Sequence, residues 1–560
     1  MSVARTLPDP ADVVIIGAGA AGGTAAKVLT EAGVNVVCLE RGPWMKPDEF
    51  SGDEIKYINR NFLWQDTLLK PRTKRRHASE KAEVTRFSPT PQMVGGGTTH
   101  WNGWFPRPTP DDLRPRSIYG DIPGASLVDW PFTYDELEPY LTKVEWEFGA
   151  SGLAGSNKYD GYRSAGFPCP PVPLSGYGKA FYKGCGELDY NAFPLPQALV
   201  TTQHKGRKAS VHSGFWQEYG DPTTTKSTTL QSFIPEALAT GRLDLRPESY
   251  VREITVGKDG KANGVLYVDK DGREIHQRAS AVVVCCGGIE SARLLLMSKS
   301  NLFPDGLANS SGLVGRNFTA HEYIFAVGVF DKENHPPLRG WSGSYINGAT
   351  YEFYKTDMSR PHILGAVVSG SILGHPVNYN FPGKPSWGQA GKDADRDFFN
   401  HSMKVGVPVQ DLPQHNNMVD LDPDVTDAWG VPVARITAKP HANDLAQGTW
   451  IVDKCVEILQ AGGASSVMPV YMNDITGNCN HEMGTTRMGN DPATSVLNKW
   501  GQAHDVDNLY VMDGSVFPTS LGVNPTLTIM AIAWRCAERL AQQRGRGVVG
   551  SAAQQLVSVG

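Results

Sequence analysis

The sequence lacks the long hydrophobic run that a membrane-spanning helix requires. Its longest apolar stretches have only the length of β-strands, so no transmembrane segment is predicted. Residues 1–10 also lack the apolar core of a secretory signal peptide and lead directly into a strand-like run. The 560 residues are enough for several domains with a large buried core.

Cysteine pairs with metal-ligand spacing are absent as well. The eight cysteines include no C-x-x-C motif, which argues against a disulfide framework and against a cysteine metal site. We therefore predict no metal. The formal net charge of −5 makes nucleic acid an unfavourable partner.

The most informative stretch that is present covers residues 13–41. An apolar, strand-like run precedes Gly-Ala-Gly-Ala-Ala-Gly (17–22), and apolar residues then recur at helical spacing. Gly33 lies where that helix is expected to end, and a second apolar run leads to Glu40. This order of strand, glycine turn, helix, strand and acidic residue is typical of a dinucleotide-binding unit.

Each residue of this unit has a physical role in the interpretation. Gly17 permits the tight turn, Gly19 lets the backbone approach a pyrophosphate, and Gly22 allows helix and strand to pack closely. The helix N-terminus offers unpaired N–H groups to the phosphates, and Glu40 can accept hydrogen bonds from ribose hydroxyls. A glycine turn that only packs is the alternative, but it leaves Glu40 unexplained.

Two further glycine-rich segments favour the same site. Residues 94–104 read Val-Gly-Gly-Gly-Thr-Thr-His-Trp-Asn-Gly-Trp, a pattern that suits backbone lying against a flat redox ring, although a plain glycine-rich loop is the alternative. Residues 281–296 repeat the order of buried strand, glycine turn and helix, which would place a second loop at the same sheet edge. The basic residues 70–77 are interpreted as a solvated loop rather than a docking patch.

The C-terminal part carries the candidate chemistry. Residues 478–489 form a loop in which His481 lies among amides and glycines. Asp513 and Gly514 follow a short strand, and Gly-Val-Asn-Pro (522–525) precedes an amphipathic helix.

These motifs together resemble the glucose–methanol–choline (GMC) oxidoreductase family of FAD enzymes. The resemblance covers both ends and the middle of the chain in the family's order, and it rests on the motifs at 17–22, 95–103, 287–296, 481–489 and 513–525. The branch that it resembles most is that of bacterial sugar and glucoside dehydrogenase large subunits, with pyranose oxidases as near relatives.

The resemblance implies an α/β, Rossmann-like FAD-binding domain with an inserted substrate-binding domain built on a β-sheet. We expect the FAD-binding domain to be discontinuous, comprising residues 1–45, 90–130, 225–320 and 478–545. The substrate-binding domain would then comprise residues 131–224 and 321–477.

The resemblance also implies a catalytic role for three residues. His481 would accept the hydroxyl proton of a substrate whose carbon passes a hydride to flavin N5, because a neutral imidazole is present near pH 7. Asn524 stands where the family places His or Asn, a second hydrogen-bonding group for the same oxygen, although a helix cap before Pro525 is the alternative. Asn480 is expected to line the same site.

Cofactor contacts transfer from the family motif by motif. His100 lies in a Thr-His-Trp sequence like that of pyranose oxidases whose histidine is bonded to the flavin, so covalent attachment is a further hypothesis. The residues expected to contact FAD are Gly17, Gly19, Gly22, Glu40, Arg41, Gly97, Thr99, His100, Asn102, Val251, Asp513, Gly514 and Thr526.

One departure from the family concerns iron–sulfur clusters. Cluster-bearing relatives have cysteines in the stretch aligned with residues 206–226, but Ser210, Ser213, Trp216 and Asp221 stand there in this chain. Since a cluster needs thiolate ligands, we expect no iron–sulfur cluster. Electrons would then leave the flavin directly to oxygen, a quinone or a redox protein, with a small subunit or cytochrome as a further partner that the resemblance implies.

The leading hypothesis is a sugar or glycoside oxidoreductase that converts a ring hydroxyl to a ketone, with C3 of a glucoside as the preferred position. An oxygen-using pyranose or alcohol oxidase that makes hydrogen peroxide is the first alternative. A non-catalytic flavin- or nucleotide-binding protein is the second. A cytoplasmic location is predicted, with periplasmic export bound to a partner subunit as the alternative.

Overall fold

A computed structural model describes residues 9–60, 63, 67–212, 219–338, 346–372, 384–472 and 481–545. Asn480, one of the three predicted catalytic residues, lies outside these described residues. None of the helices in the described ranges combines the length and the apolar character needed to cross a bilayer.

The strands of the described chain are short and scattered along its whole length. In chain order they are β1 Val13–Ile16, β2 Val36–Leu39, β3 Arg72–Arg75, β4 Glu83–Thr85, β5 Ala192–Phe193, β6 Leu243–Arg246, β7 Tyr250–Val256, β8 Ala262–Val268, β9 Glu274–Arg278, β10 Val282–Val284, β11 Thr319–Ala320, β12 Glu322–Val329, β13 Ile346–Thr350, β14 Val368–Ser371, β15 Ser402–Val409, β16 Met418–Thr426, β17 Pro432–Thr437, β18 Ser466–Val470, β19 Glu482–Met483 and β20 Leu509–Val511.

The α-helices are spread between these strands. They are α1 Ala20–Glu31, α2 Gly97–His100, α3 Pro115–Tyr119, α4 Tyr134–Phe148, α5 Gly176–Glu187, α6 Phe233–Ala239, α7 Gly288–Met297, α8 Gly388–Phe398, α9 Ala442–Gly462 and α10 Thr526–Gln543. Thr133 caps α4, since its side chain accepts a hydrogen bond from the Glu136 N–H.

The central sheet has five parallel strands in the order β20-β10-β1-β2-β6. Its strands are rich in valine and buried, as expected when both faces of a parallel sheet are covered. Helix α1 crosses from β1 to β2 and packs against α6 and α10. All five strands point the same way, so their carboxyl ends meet at one edge, where ligands bind in such folds.

The glycines of the first turn behave as the sequence predicts. Gly17 has a φ of +95°, which favours glycine, and a Cβ on Gly22 would lie 1.8 Å from the carbonyl oxygen of Gly17. Gly33 has a φ of +86° just after α1, so the predicted end of that helix is confirmed.

A second, six-stranded sheet has the order β18-β12-β15-β14-β13-β5. Its strands pair antiparallel, and α9 and α5 cover it. Apolar side chains between this sheet and these helices form a core separate from the one around the central sheet. The α/β fold with a further β-sheet unit agrees with the predicted fold class.

The interpretation of residues 70–77 as a solvated loop is wrong for its centre. Arg72–Arg75 forms β3, which joins β4 and β17 in a four-stranded sheet of order β16-β17-β3-β4. The side chain of Arg72 is 1% exposed because the carboxylates of Glu290 and Glu482 neutralise it. Both partners are more than 200 residues away in sequence, so the local composition could not reveal them.

Candidate active site and dinucleotide cavity

A cavity of about 250 Å³ opens at the carboxyl edge of the central sheet. Its lining includes Val251 and Glu40 as well as His481 and Pro525. Ten of the predicted site residues line it: Gly17, Gly19, Glu40, Arg41, Gly97, Val251, His481, Asp513, Gly514 and Thr526. Residues from distant parts of the sequence thus line one continuous space.

The backbone around Gly19 forms the floor of this cavity. A Cβ on Gly19 would meet only the Cα of Gly96, at 3.8 Å, whereas a Cβ on Gly96 would lie 2.8 Å from the Cα of Gly19. The N–H of Gly95 donates to the carbonyl of Ala18 and ties the two glycine loops together. Helix α1 begins here without a side-chain cap and without acidic residues in its first turn, so its N-terminus suits an anionic ligand.

Glu40 lines the cavity directly after β2. Its Oε2 accepts the N–H of Ala18 and its Oε1 accepts the N–H of Gly42, both at 2.9 Å. Burial raises the pKa of Glu40, and the two backbone hydrogen bonds act in the opposite direction. The two hydrogen bonds fix the carboxylate at the end of β2, and each oxygen keeps a lone pair for a ribose hydroxyl.

Both carboxylate oxygens of Asp513 accept hydrogen bonds from neighbouring loop and helix residues. Its Oδ1 accepts the N–H and Oγ–H of Ser515, and its Oδ2 accepts the N–H of Gly287 and the Oγ–H of Ser291. The carboxylate therefore joins the turn before α7 to the segment after β20. Any direct contact from this segment to a ligand would come from the backbone.

His481 lines the cavity, and Asn524 lies beside it. The Nδ2 atom of Asn524 lies 3.1 Å from Nε2 of His481, and Oδ1 of Asn524 is buried with no hydrogen-bond partner among the described residues. Burial, and then the neighbouring His321, lower the pKa of His481 well below its usual value. The amide group of Asn524, which is not among the residues that line the cavity, thus lies against the neutral imidazole of His481, which does line it.

His321 is the functional neighbour that the sequence interpretation missed. Its Nδ1 lies 2.9 Å from Nδ1 of His481, and the two rings are perpendicular. The antiparallel pairing of β11 with β19, which sets Ala320 opposite Glu482, brings them together. Because 160 residues separate the two histidines, no local spacing pointed to the pair.

Four predicted cofactor residues are not among those that line the cavity: Gly22, Thr99, His100 and Asn102. Gly22 contributes by packing against Gly17, as described above. The Nδ1 atom of His100 is 2.7 Å from Oγ1 of Thr99, and burial followed by the charge of Lys226 lowers its pKa to about 3. Covalent attachment of a flavin at His100 stays a prediction.

The residues present fit a flavin dinucleotide. The cavity combines a glycine floor, the N-terminus of α1, a fixed carboxylate at Glu40 and an unsatisfied polar atom beside His481. In the ranges that the structure covers, no three histidine, cysteine or acidic side chains are grouped to hold a metal ion.

Replacement of Gly19 by alanine provides a direct test of this fit. Gly19 has extended backbone angles and only one distant neighbour, so the apoprotein should keep its stability. The added methyl group would project toward the bound pyrophosphate, and we expect FAD to bind at least tenfold more weakly, about 1.4 kcal/mol. Titration of the apoprotein with FAD, followed by flavin fluorescence, measures the change.

Gly33→Ala is the matched control. Its φ is positive and no atom lies within 4 Å of the added Cβ, so strain alone should lower the free energy of unfolding by about 1–2 kcal/mol. FAD affinity should be unchanged in this variant. Equal FAD affinity of Gly19→Ala and the wild type would show that the pyrophosphate does not cross Gly19.

Comparison with known proteins shows which family this chain belongs to. The GMC oxidoreductase family models match residues 11–323 and 413–533, more than half of the chain. The chain belongs to the GMC oxidoreductase family. It is therefore an oxidoreductase that acts on CH–OH groups, and family membership implies that it binds FAD.

Individual relatives of this family align over nearly the full chain. The 2-methyl-1,2-propanediol dehydrogenase of Mycolicibacterium austroafricanum is 36% identical over 96% of both chains. The gluconate 2-dehydrogenase flavoprotein of Pantoea cypripedii is 30% identical over 95% of this chain and 94% of its own. A structure of Aspergillus oryzae RIB40 formate oxidase has a TM-score of 0.64 at 16% identity, covering 96% of this chain and all of the other, which shows the shared GMC fold.

Proposed function

We propose that FAD lies along the cavity with its adenosine half near Val251 and Glu40 and its redox ring near His481. One continuous cavity is lined by Val251 and Glu40 and also by His481, which supports this placement. Gly19 and the N-terminus of α1 would hold the pyrophosphate, and the loops at Gly97, Asp513 and Thr526 would surround the remainder. When bound, FAD supplies the hydride acceptor.

The chain's own residues supply the proton chemistry. Nε2 of His481 takes the proton of the substrate hydroxyl, and this general-base contribution is typically worth about 10²–10⁴-fold in rate. The amide N–H of Asn524, which lies 3.1 Å from Nε2 of His481 in the structure, would turn to the substrate oxygen when substrate binds. It would free the lone pair of Nε2 in this way and hold the oxygen while negative charge develops on it. The hydroxyl-bearing carbon loses a hydride, the oxygen loses its proton to His481, and the product is a carbonyl compound.

The proposed substrate is a sugar or glycoside, with C3 of a glucoside as the position predicted from the branch that the sequence resembles. The gluconate 2-dehydrogenase relative supports a sugar-derived substrate. A small diol is the second candidate, because the relative at 36% identity is a 2-methyl-1,2-propanediol dehydrogenase.

Anaerobic addition of substrates to the purified holoprotein tests this assignment. We expect methyl glucoside to bleach the visible absorption band of the oxidised flavin, with 2-methyl-1,2-propanediol, gluconate and fructose as comparison compounds. NMR of the product distinguishes a C3 ketone from oxidation elsewhere. A yellow holoprotein that methyl glucoside leaves oxidised, while the diol bleaches it, would overturn the glycoside assignment in favour of the diol.

Admission of air to the reduced protein then identifies the electron acceptor. Slow recolouring indicates a dehydrogenase, which we propose, and prompt recolouring with hydrogen peroxide indicates an oxidase. A quinone or redox protein would serve the dehydrogenase. A small subunit is a further proposed partner, because a fructose dehydrogenase large subunit is among the relatives of this chain. The absence of an iron–sulfur cluster and the cytoplasmic location stay predictions.

A further inference from the structure

Two like nitrogens face each other beside the candidate base. Nδ1 of His321 and Nδ1 of His481 are 2.9 Å apart, with ring centroids at 5.0 Å and planes at 90°. A hydrogen bond at this distance requires that one nitrogen carries a proton and the other does not. The protonation pattern of one ring therefore determines that of the other.

Asn524 sets the direction of this hydrogen bond. Its amide nitrogen lies 3.1 Å from Nε2 of His481 and can only donate, so Nε2 must be the acceptor. The proton of a neutral His481 ring then resides on Nδ1 and is donated to Nδ1 of His321. Burial, opposed by the backbone of Leu521, lowers the pKa of His321 to about 4, which keeps this ring neutral as well.

The backbone holds the two rings in place independently of any ligand. Residues Thr319–Ala320 of β11 pair with Glu482–Met483 of β19, and each histidine is adjacent to this ladder. The N–H of Ala320 donates to Oδ2 of Asp411 at 2.7 Å, which anchors the strand before His321. The side chain of His321 is fully buried, whereas one edge of His481 lines the cavity.

We propose that His321 is a positioning residue that accepts the Nδ1–H of His481 and so selects the tautomer whose Nε2 is ready to take the substrate proton. This inference rests on the proposed function of His481. When Nε2 takes the proton, the ring becomes cationic, and its Nδ1–H hydrogen bond to His321 becomes charge-assisted. His321 thus stabilises the protonated base without carrying charge itself.

Two substitutions separate hydrogen-bond acceptance from the other properties of the ring. His321→Asn retains an acceptor oxygen for Nδ1–H, whereas His321→Leu fills similar space without one. We expect the leucine variant to reduce its flavin roughly 10²-fold more slowly with unchanged substrate affinity, as when other orienting partners are lost. The asparagine variant should recover most of that loss. Equal losses in both variants, or a leucine variant at the wild-type rate, would overturn the proposal.

The tautomer itself is measured in wild-type holoprotein that contains ¹⁵N-labelled histidine. His481, assigned by comparison with His481→Ala, should show a protonated Nδ1 and an unprotonated Nε2. Protonation of Nε2 instead would contradict the proposal whatever the kinetics show. If no hydroxyl compound bleaches the wild-type flavin, the proposed function fails, and the ¹⁵N shifts still decide whether His321 selects the tautomer.

Discussion

His481→Ala is expected to slow flavin reduction by the substrate about 10²–10⁴-fold while leaving FAD bound. The variant removes the only atom proposed to take the hydroxyl proton, whereas the glycine floor and Glu40 that would hold FAD are untouched. Stopped-flow measurement of anaerobic bleaching gives the rate constant, and the absorption spectrum of the purified variant gives its FAD content.

Two comparisons make this result specific. His77→Ala changes an exposed histidine that does not line the cavity, and this variant should reduce its flavin at the wild-type rate. Imidazole added to His481→Ala should restore part of the rate, because the deleted ring leaves space beside Asn524. If His481→Ala keeps more than a tenth of the wild-type rate, a group other than His481 must be the base.

The pH dependence of the wild-type rate provides a second measurement of the same base. Burial and His321 lower the pKa of His481 well below its usual value, so the neutral ring persists as the pH falls. We expect the rate constant for bleaching to stay level from pH 8 down to pH 6. A base with an ordinary pKa of about 6.5 would instead lose most of its activity over this interval.

Features encoded by neighbouring residues were predictable from the sequence. The strand, glycine turn and helix between Val13 and Gly33 require only local periodicity and glycines at fixed offsets, and the structure contains them. His481 and Asn524 could be proposed as partners through family resemblance alone. Their separation of 3.1 Å depends on how the segments before β19 and α10 meet.

The features that were missed depend on pairings between distant segments. His321 precedes an apolar strand, and nothing near it in sequence distinguishes it from an ordinary core histidine; the β11–β19 ladder is what places it beside His481. Arg72 lies among basic residues that suggest a solvated loop, yet its partners Glu290 and Glu482 come from α7 and β19. Sequence composition describes neither pairing.

Arg72 forms a buried cluster of charges with Glu290 and Glu482, next to His481 in the chain. The guanidinium donates to Oε1 of Glu290 at 3.0 Å, to Oε1 of Glu482 at 2.9 Å and to the carbonyl of Ser88 at 2.6 Å. Glu482 directly follows His481, and its Oε2 accepts the N–H of Ile289 in α7. Burial alone would raise the pKa of Glu290, but Arg41, Arg72 and Arg293 outweigh it and hold that pKa well below its usual range.

Arg72→Met is therefore expected to lower the free energy of unfolding by about 3–5 kcal/mol, because it leaves two buried carboxylates without their shared partner. Urea unfolding of the apoprotein measures this loss. Arg116→Met is the matched control: Arg116 and its partner Asp121 are both more than half exposed, so the loss should be no more than about 1 kcal/mol.

The pH dependence of the Arg72→Met deficit identifies its electrostatic origin. In the wild type the depressed pKa of Glu290 contributes stability that is present above its unfolded-state pKa and is lost as the pH falls through the folded-state value. Loss of the Arg72 charge raises the folded-state pKa of Glu290. In acid the variant can therefore protonate Glu290, which relieves the repulsion between the carboxylates of Glu290 and Glu482. Because Arg41 and Arg293 still face Glu290 in the variant, the difference between variant and wild type should be level above about pH 5 and should shrink as the pH falls from 5 to 3. Arg72→Met combined with Glu290→Gln should recover part of the difference at pH 8. A deficit that is equal at pH 5 and at pH 3 would mean that lost packing of the arginine side chain, rather than the lost positive charge beside the two carboxylates, accounts for the destabilisation.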